Sequence, residues 1–444
     1  MGMRNWRALT LLVLMAGAFL AGGAARPLTA ATKPAPPNVV LIISDDQAWG
    51  DYSFMGHPHV RTPNLDRLAS QSLCFTHGYV PSSLCCPSLA SIISGRYPHQ
   101  HGVTSNDPPI PAGMTQAAFQ ASDAFRDGRE VMNRYMDAVP TIPRLLGTRG
   151  YESLQTGKWW QGEYRRGGFT QGMTHGGRHG DEGLKIGRET MQPIFDFIQG
   201  ARKENHPFFV WYAPMLPHQP HNPPERILAK YRDKAPTLPV AKYWAMCEWF
   251  DETCGQLLDH LDQNGLSDNT VVVFLADNGW IQEPNADRFA ARSKQSQYEG
   301  GLRTPLLVRW PGKVKPQRIA QPVLSLDIAP TIFAATGVKA PEGLPGVNLL
   351  DEKARSARKA IFGECFTHNA VDLHEPARSL RWRWAIEGDW KLIVPAAQNE
   401  PDGKIELFNL AADPAETRNL ADQEPERVKR LSGQLDRWWS GKPK

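Results

Sequence analysis

Six cysteines among 444 residues are too few to make a disulfide framework. Cys247 and Cys254 fall on roughly one face of an expected helix (241–264), too far apart along its axis to bridge each other. Cys74 and Cys365 suit either core positions or partners. Charge of one sign is equally scarce: 50 Lys and Arg against 46 Asp and Glu leave a formal +4. That excess would not repel an anionic substrate, and it does not point to nucleic acid. No internal repeat is visible, which argues against a solenoid. The longest apolar run, Ala8 to Leu20, falls short of the roughly 20 residues of a membrane span. Arg4 and Arg7 precede it and small residues follow through Ala25, the order of a secretory signal peptide over residues 1–25. Residues 26–37 then read as a leader. The expected product is secreted or periplasmic and free of the membrane after cleavage.

Apolar segments mark the fold. Asn38 to Ile43 and Thr270 to Ala276 are continuous β-branched and aliphatic runs, the pattern of strands covered on both faces. Pro207 to Ala213 and Arg303 to Trp310 read as further strands. Helical stretches lie between them at 62–72, 88–94, 141–150, 187–202 and 242–264. Strands alternating with helices predict an α/β fold with a mostly parallel sheet flanked by helices. A loop-like stretch at 342–350 separates an expected main domain, 38–350, from a smaller C-terminal subdomain, 351–444. The latter carries short antiparallel strands near 360–363, 383–386, 390–394 and 406–408, and a last helix over 425–439.

Both leading strands run into hard oxygen ligands: Asp45 and Asp46 after the first, Asp277 and Asn278 after the second. Sites in open α/β sheets form outside the carboxyl ends of the strands. Three carboxylates and an amide gathered there would repel one another unless a cation lay between them. Oxygen ligation favours Ca²⁺ or Mg²⁺ over Zn²⁺. The plain alternative is a helix cap at Asp45 and a simple turn at Asp277. A second feature is Cys85 and Cys86, followed by Pro87 and, later, Gly95. Pro87 suits a first helical turn and Gly95 a helix end, so the cysteines would lie just before a helix N-terminus. Unpaired N–H groups there attract anions and activate a thiol. Cys85 is then a reactive group, a precursor of one, or simply a buried structural cysteine.

These residues resemble the type I sulfatases of the alkaline-phosphatase-like superfamily. The signature Cys-x-Pro-Ser-Arg and the later Thr-Gly-Arg stand here as Cys85, Cys86, Pro87, Ser88, Leu89 and as Ser94, Gly95, Arg96. Thr62 to Leu68 is similar to the family's early helix. Gly157, Lys158 and Trp159 match its Gly-Lys-Trp-His loop, and Pro217 to Pro220 its Pro-His-x-Pro turn. Lys294, ahead of Glu299 to Gly301, matches the late lysine. Asp413, Pro414, Glu416, Asn419 and Leu420 fit the C-terminal pattern. The resemblance implies that Cys85 is oxidised to formylglycine by a formylglycine-generating enzyme. It implies that Asp45, Asp46, Asp277 and Asn278, with the modified Cys85, hold Ca²⁺. Lys158 and Lys294 would stabilise charge on the sulfuryl group, and His218 would protonate the leaving alcohol. The implied substrate is a sulfated small molecule or glycan; Trp159, Trp160 and Tyr97 could stack on a sugar or pack in the core.

Two positions depart from the family pattern. Leu89 replaces the signature Arg, and Trp160 replaces the loop His, offering one donor and no basic nitrogen. Arg96, Arg178, His99, His101, His175 and His179 are candidates to compensate. The insertion-like stretch 106–137 is placed to shape a pocket. Three readings follow: an active sulfatase, a phosphodiester or phosphonate hydrolase on the same scaffold, and a catalytically silent protein that grips sulfated glycans.

Overall fold

The computed structural model describes residues 35–443, so the expected signal peptide lies outside the described residues. From Pro36 onward the chain forms one compact unit. No helix among the described residues is long and apolar enough to cross a membrane. The strand Asn38–Ser44 is central in a nine-stranded sheet, hydrogen-bonded in parallel to Phe208–Ala213 on one side and Thr270–Ala276 on the other. Both of its faces are covered. Val39, Leu41 and Ile43 enter one core while Val40 and Ile42 enter a second, which is why the run lacks alternation.

Outward on one side lies Glu152–Gly157, and on the other Arg303–Arg309 and then Leu73–Tyr79. The α/β expectation holds, with six of the eight strand pairings in this sheet parallel. Five strands of this sheet escaped the sequence reading, three of them only two or three residues long. Leu73–Tyr79 is broken by Thr76, His77 and Gly78, and Glu152–Gly157 mixes polar with apolar residues. Gly78 is required where it stands, because a Cβ there would meet the Thr304 carbonyl at 2.6 Å. Most expected helices are present with shifted ends. The one expected at 88–94 starts earlier, at Cys85, so both cysteines sit in its first turn rather than before it.

Strand direction decides where the loops go. The strands ending at Ser44, Tyr79, Gly157, Ala213 and Ala276 all run the same way, so their carboxyl ends share one edge of the sheet. Arg303–Arg309 runs antiparallel to Thr270–Ala276, so the intervening segment 277–302 needs no crossover and stays at that edge.

A four-stranded antiparallel sheet follows, in the order Ala360–Phe366, Leu380–Glu387, Trp390–Pro395, Glu406–Asn409. Leu431 and Leu435 of the last helix, Pro425–Trp438, pack on Ala385, Leu392 and Leu407. Lys391 is fully buried and ties this sheet to the main one. Its ammonium lies 3.1 Å from Glu299 and 2.8 Å from Glu416, and Tyr79 donates to the other oxygen of Glu299 at 2.9 Å. Breaking a buried ion network from one side leaves charges that cannot reach water. Lys391→Met would leave Glu416 without a cation and Glu299 with only Arg303, at 3.7 Å. We expect a loss of about 3–5 kcal/mol in urea unfolding; a midpoint unchanged from wild type would show that the network adds nothing.

Candidate active site

Asp45 and Asp46 follow the central strand directly. Asp46 has φ +63°, a left-handed conformation that interrupts the alternation of side-chain directions. Asp277 and Asn278 follow the neighbouring strand. Asp277 Oδ1 accepts from the Asp46 backbone N–H at 3.1 Å, and the Asn278 amide donates to Asp46 Oδ1 at 2.6 Å. Ser88 in the first turns of the signature helix donates to the Asp277 carbonyl at 2.5 Å, which locks that helix to the strand end. Cys85 Sγ then lies 3.9 Å from Asp46 Oδ1. One ligand atom each from Asp45, Asp46, Cys85 and Asp277 can be chosen so that all lie within 4.8 Å of one another.

Two lysines close the cluster. Lys158, at the end of Glu152–Gly157, places Nζ 2.5 Å from Asp45 Oδ1 and 4.0 Å from Asp277 Oδ2. Lys294, from the segment kept at this edge, lies 2.6 Å from Asp46 Oδ2. Both are buried, so neither is the solvated surface residue that lysine usually is. His218 points Nε2 at the same Asp46 oxygen from 3.4 Å, while its Nδ1 donates to the Gln219 carbonyl at 2.6 Å. The structure thus brings together Asp45, Asp46, Cys85, Lys158, His218, Asp277, Asn278 and Lys294.

The electrostatics are those of charges forced together out of water. Burial, and then the Asp45 charge, push Asp277 up to about 8, and burial raises Asp45 to about 6 against the pull of Lys158. Burial would raise Asp46 too, but Lys294, His218 and Lys158 together hold it well below the usual carboxylate range. Burial works against the lysine charges, yet Asp45 and Asp46 carry Lys158 and Lys294 above their ordinary value. Burial, then Lys158, drives His218 well below its usual range. Burial also pushes the Cys85 thiol up to about 12, so at neutral pH it is a thiol and not a thiolate nucleophile.

Three buried oxygens in this cluster have no hydrogen-bond partner among the described residues: Asp45 Oδ2, Asp277 Oδ2 and Asn278 Oδ1. Orphaned buried acceptors are costly. Three hard oxygens without donors, beside carboxylates already short of countercharge, fit a divalent cation of the Ca²⁺ or Mg²⁺ kind.

The departures from the family pattern are accommodated differently. Leu89 is in the core among apolar neighbours and makes no charged substitute. Trp160 is buried against several cations, as are Trp159 and Tyr97 in packing, so none of the three offers an open face for sugar stacking. Of the six candidates to compensate, only Arg178 and His179 reach Trp160, at 4.6 and 4.5 Å from its ring. His99 pairs with Glu364, His101 bonds Ser91, His175 is exposed beside Tyr164, and Arg96 lines a separate cleft.

Residues outside every motif also support the signature turn. Asn106 Oδ1 accepts from the Cys86 N–H at 3.0 Å, Gln161 donates to the Cys86 carbonyl at 3.0 Å, and Arg129 donates to the carbonyls of Asn106 and Trp160. Arg129 comes from the helix Asp123–Arg134 inside the insertion, sharing its buried face with Phe125, Met132 and Asn133. An arginine on the apolar stripe of an amphipathic helix is the signal that could have exposed it. His221 is a further residue not anticipated, buried between Tyr243 and Trp280 with Nδ1 3.1 Å from Asp287.

A family model described as Sulfatase matches residues 37–338, and one described as N-sulphoglucosamine sulphohydrolase, C-terminal, matches residues 289–438. N-acetylgalactosamine-6-sulfatase of Mus musculus is 29% identical over 95% of this chain and 87% of its own length. The ulvan-active sulfatase of Formosa agariphila is 25% identical over 91% and 80%. A structure solved in complex with its substrate, D-glucosamine-2-N,6-O-disulfate, superposes with a TM-score of 0.70 at 20% identity, covering 91% of this chain and 98% of that one.

The orphaned oxygens generate a thermal prediction. A cation that binds only the folded state raises its melting temperature, and a chelator reverses the rise. Ca²⁺ should raise the melting point of the wild-type protein by several degrees. Asp277→Asn keeps the shape and removes a charge that burial already disfavours, so it should melt near the metal-free wild type and lose the Ca²⁺ response. Equal Ca²⁺ shifts in the two proteins would remove Asp277 from the ligand set.

Proposed function

The chain belongs to the sulfatase family, the sulfuric ester hydrolases, and from that premise we propose that it releases sulfate from a sulfated carbohydrate at the cluster around Cys85. The observation that carries this reading is the convergence of a helix-N-terminal cysteine, three carboxylates and two lysines at one sheet edge. Relatives named for a sulfated amino sugar and for ulvan, and a fold neighbour holding a disulfated glucosamine, support a glycan as the substrate class.

In this reading Cys85 is the precursor of formylglycine, installed by a formylglycine-generating enzyme, and the hydrated group would supply a hydroxyl nucleophile toward sulfur. Asp45, Asp46, Asp277 and Asn278, with the modified Cys85, would hold Ca²⁺, which would supply fixed positive charge against the sulfuryl oxygens. Lys158 and Lys294 are the protein's own contribution to that charge: they are pre-placed, dehydrated and need no reorganisation as negative charge grows. His218 orients the leaving side. Its Nδ1–H is committed to the Gln219 carbonyl, so Nε2 is the atom that carries a proton to the departing alcohol. An arriving sulfate ester brings the negative charge that offsets Lys158 and Lys294 and lets that imidazole take up a proton. The product is exported after removal of residues 1–25, and the catalytic region spans 38–350 with 351–444 as a subdomain.

The test is a peptide mass together with turnover. In protein made in a host with the maturation enzyme, the peptide carrying Cys85 should have oxygen in place of sulfur and two hydrogens fewer. Such protein should release inorganic sulfate from sulfated sugars, and Cys85→Ala should fall to background. An unmodified thiol in active protein would overturn the formylglycine reading. Turnover of phosphodiesters or phosphonates in place of sulfate esters would move the activity to the related hydrolases. Binding of sulfated glycans without turnover, unaffected by Cys85→Ala, would make the protein a lectin-like binder.

A further inference from the structure

Beside the acid cluster, one tryptophan stands among cations. Trp160 is 2% exposed, and its Nε1–H has no hydrogen-bond partner among the described residues. Trp159, Trp382 and Trp384 also carry unpartnered indole N–H groups, but among the described residues no cation lies over their rings. Trp160 is different: Lys158 Nζ lies 6.0 Å from its ring centroid, and Arg129 and Arg178 lie at 5.4 and 4.6 Å. His179 meets the same ring edge-on at 4.5 Å and lies 6.3 Å from the His218 ring. Its backbone carbonyl is pinned by the Trp159 N–H at 3.0 Å.

The tautomer of His179 follows from its neighbour. Arg178 Nη1 lies 2.7 Å from His179 Nε2, and a guanidinium can only donate, so Nε2 accepts and the proton sits on Nδ1. Arg178 itself is fixed by two bonds to the fully buried Asp107, at 2.9 and 2.7 Å. His179 Nδ1–H has no protein partner among the described residues. Arg129, also buried, has no carboxylate partner among them; it donates to the backbone carbonyls of Asn106 and Trp160 and reaches the sulfurs of Cys86 and Met132 at 3.9 and 4.0 Å. Two free N–H donors backed by an unneutralised guanidinium offer nothing to a cation or to a neutral donor. They suit the oxygens of an anion.

We propose that Trp160 Nε1–H and His179 Nδ1–H are substrate contacts that hydrogen-bond the sulfuryl oxygens, with Arg178 as the positioning residue that sets the His179 tautomer. This rests on the sulfate-ester reading of the site. His179 is contributed by the loop after Gln171–Gly172, distant in sequence from the signature helix and from the His218 turn.

The experiment follows turnover of an aryl sulfate with inorganic sulfate as a competitive product inhibitor. Trp160→Phe keeps a ring and removes the N–H; His179→Phe removes the imidazole donor, and His179→Gln retains an amide donor. Each Phe variant should raise the sulfate inhibition constant about 10- to 100-fold, the worth of one hydrogen bond to a charged group. His179→Gln should stay within about threefold of wild type. Melting temperature and formylglycine content, measured on the same preparations, identify a variant that fails to fold or mature; Trp160→Phe and His179→Gln are the mildest changes and decide the matter if His179→Phe does not fold. Wild-type inhibition constants in both folded Phe variants would overturn the proposal, and so would a fall in kcat with the constant unchanged. Absence of sulfate-ester turnover in the mature wild type would instead defeat the reading beneath it.

Discussion

Three carboxylates buried beside one thiol are the constraint around which this molecule is arranged. Left alone, Asp45, Asp46 and Asp277 would be intolerable at such close range in a site that water does not reach. Each is therefore met from a different direction: Lys158 on Asp45, Lys294 and His218 on Asp46, and the Asp46 amide on Asp277. These partners come from separate loops, and only a sheet whose strands end at one edge can deliver them to one point. The long buried strands, with both faces sealed by separate cores, make that edge rigid.

The rigidity extends outward in layers. Ser88 holds the signature helix to the Asp277 carbonyl, and Asn106 and Gln161 hold the turn around Cys86. Arg129 links the same turn to the backbone of Trp160. On the opposite flank, the segment bearing Lys294 runs into Glu299, which is fastened to the small sheet by Lys391. At both flanks buried polar groups are satisfied by specific partners, which is why single residues matter there.

How much of this could be read in advance differs by level. The strands at 38–44 and 270–276 were legible because continuous β-branched runs have few other uses, and the carboxylates at their ends were visible for the same reason. Lys158, His218 and Lys294 could be named only through a resemblance of short motifs, since a lone lysine or histidine in a loop carries no signal of burial. Leu73–Tyr79 was missed because His77 and Gly78 interrupt it; their tolerance depends on a neighbouring strand that is distant in sequence. Of the two readings open for the aromatics, sugar platform or core packing, the structure has packing. Composition shows that Trp159, Trp160 and Tyr97 are present but not which way they face, and all three face inward. Arg129 and His179 were out of reach or unresolved among alternatives because their roles exist only after the insertion and the loop at 174–180 have folded against Trp160.

The depth of Cys85 has a consequence for the order of events in the life of the chain. At 1% exposure, beneath Asp46 and flanked by both lysines, its sulfur cannot be presented to the active site of another enzyme once the sheet has closed. An enzyme acting on that atom would have to reach it before the sheet closes around it. Lys294, Lys391 and Glu416 emerge long after Cys85 does, so the folding that seals the sulfur away waits on residues made late.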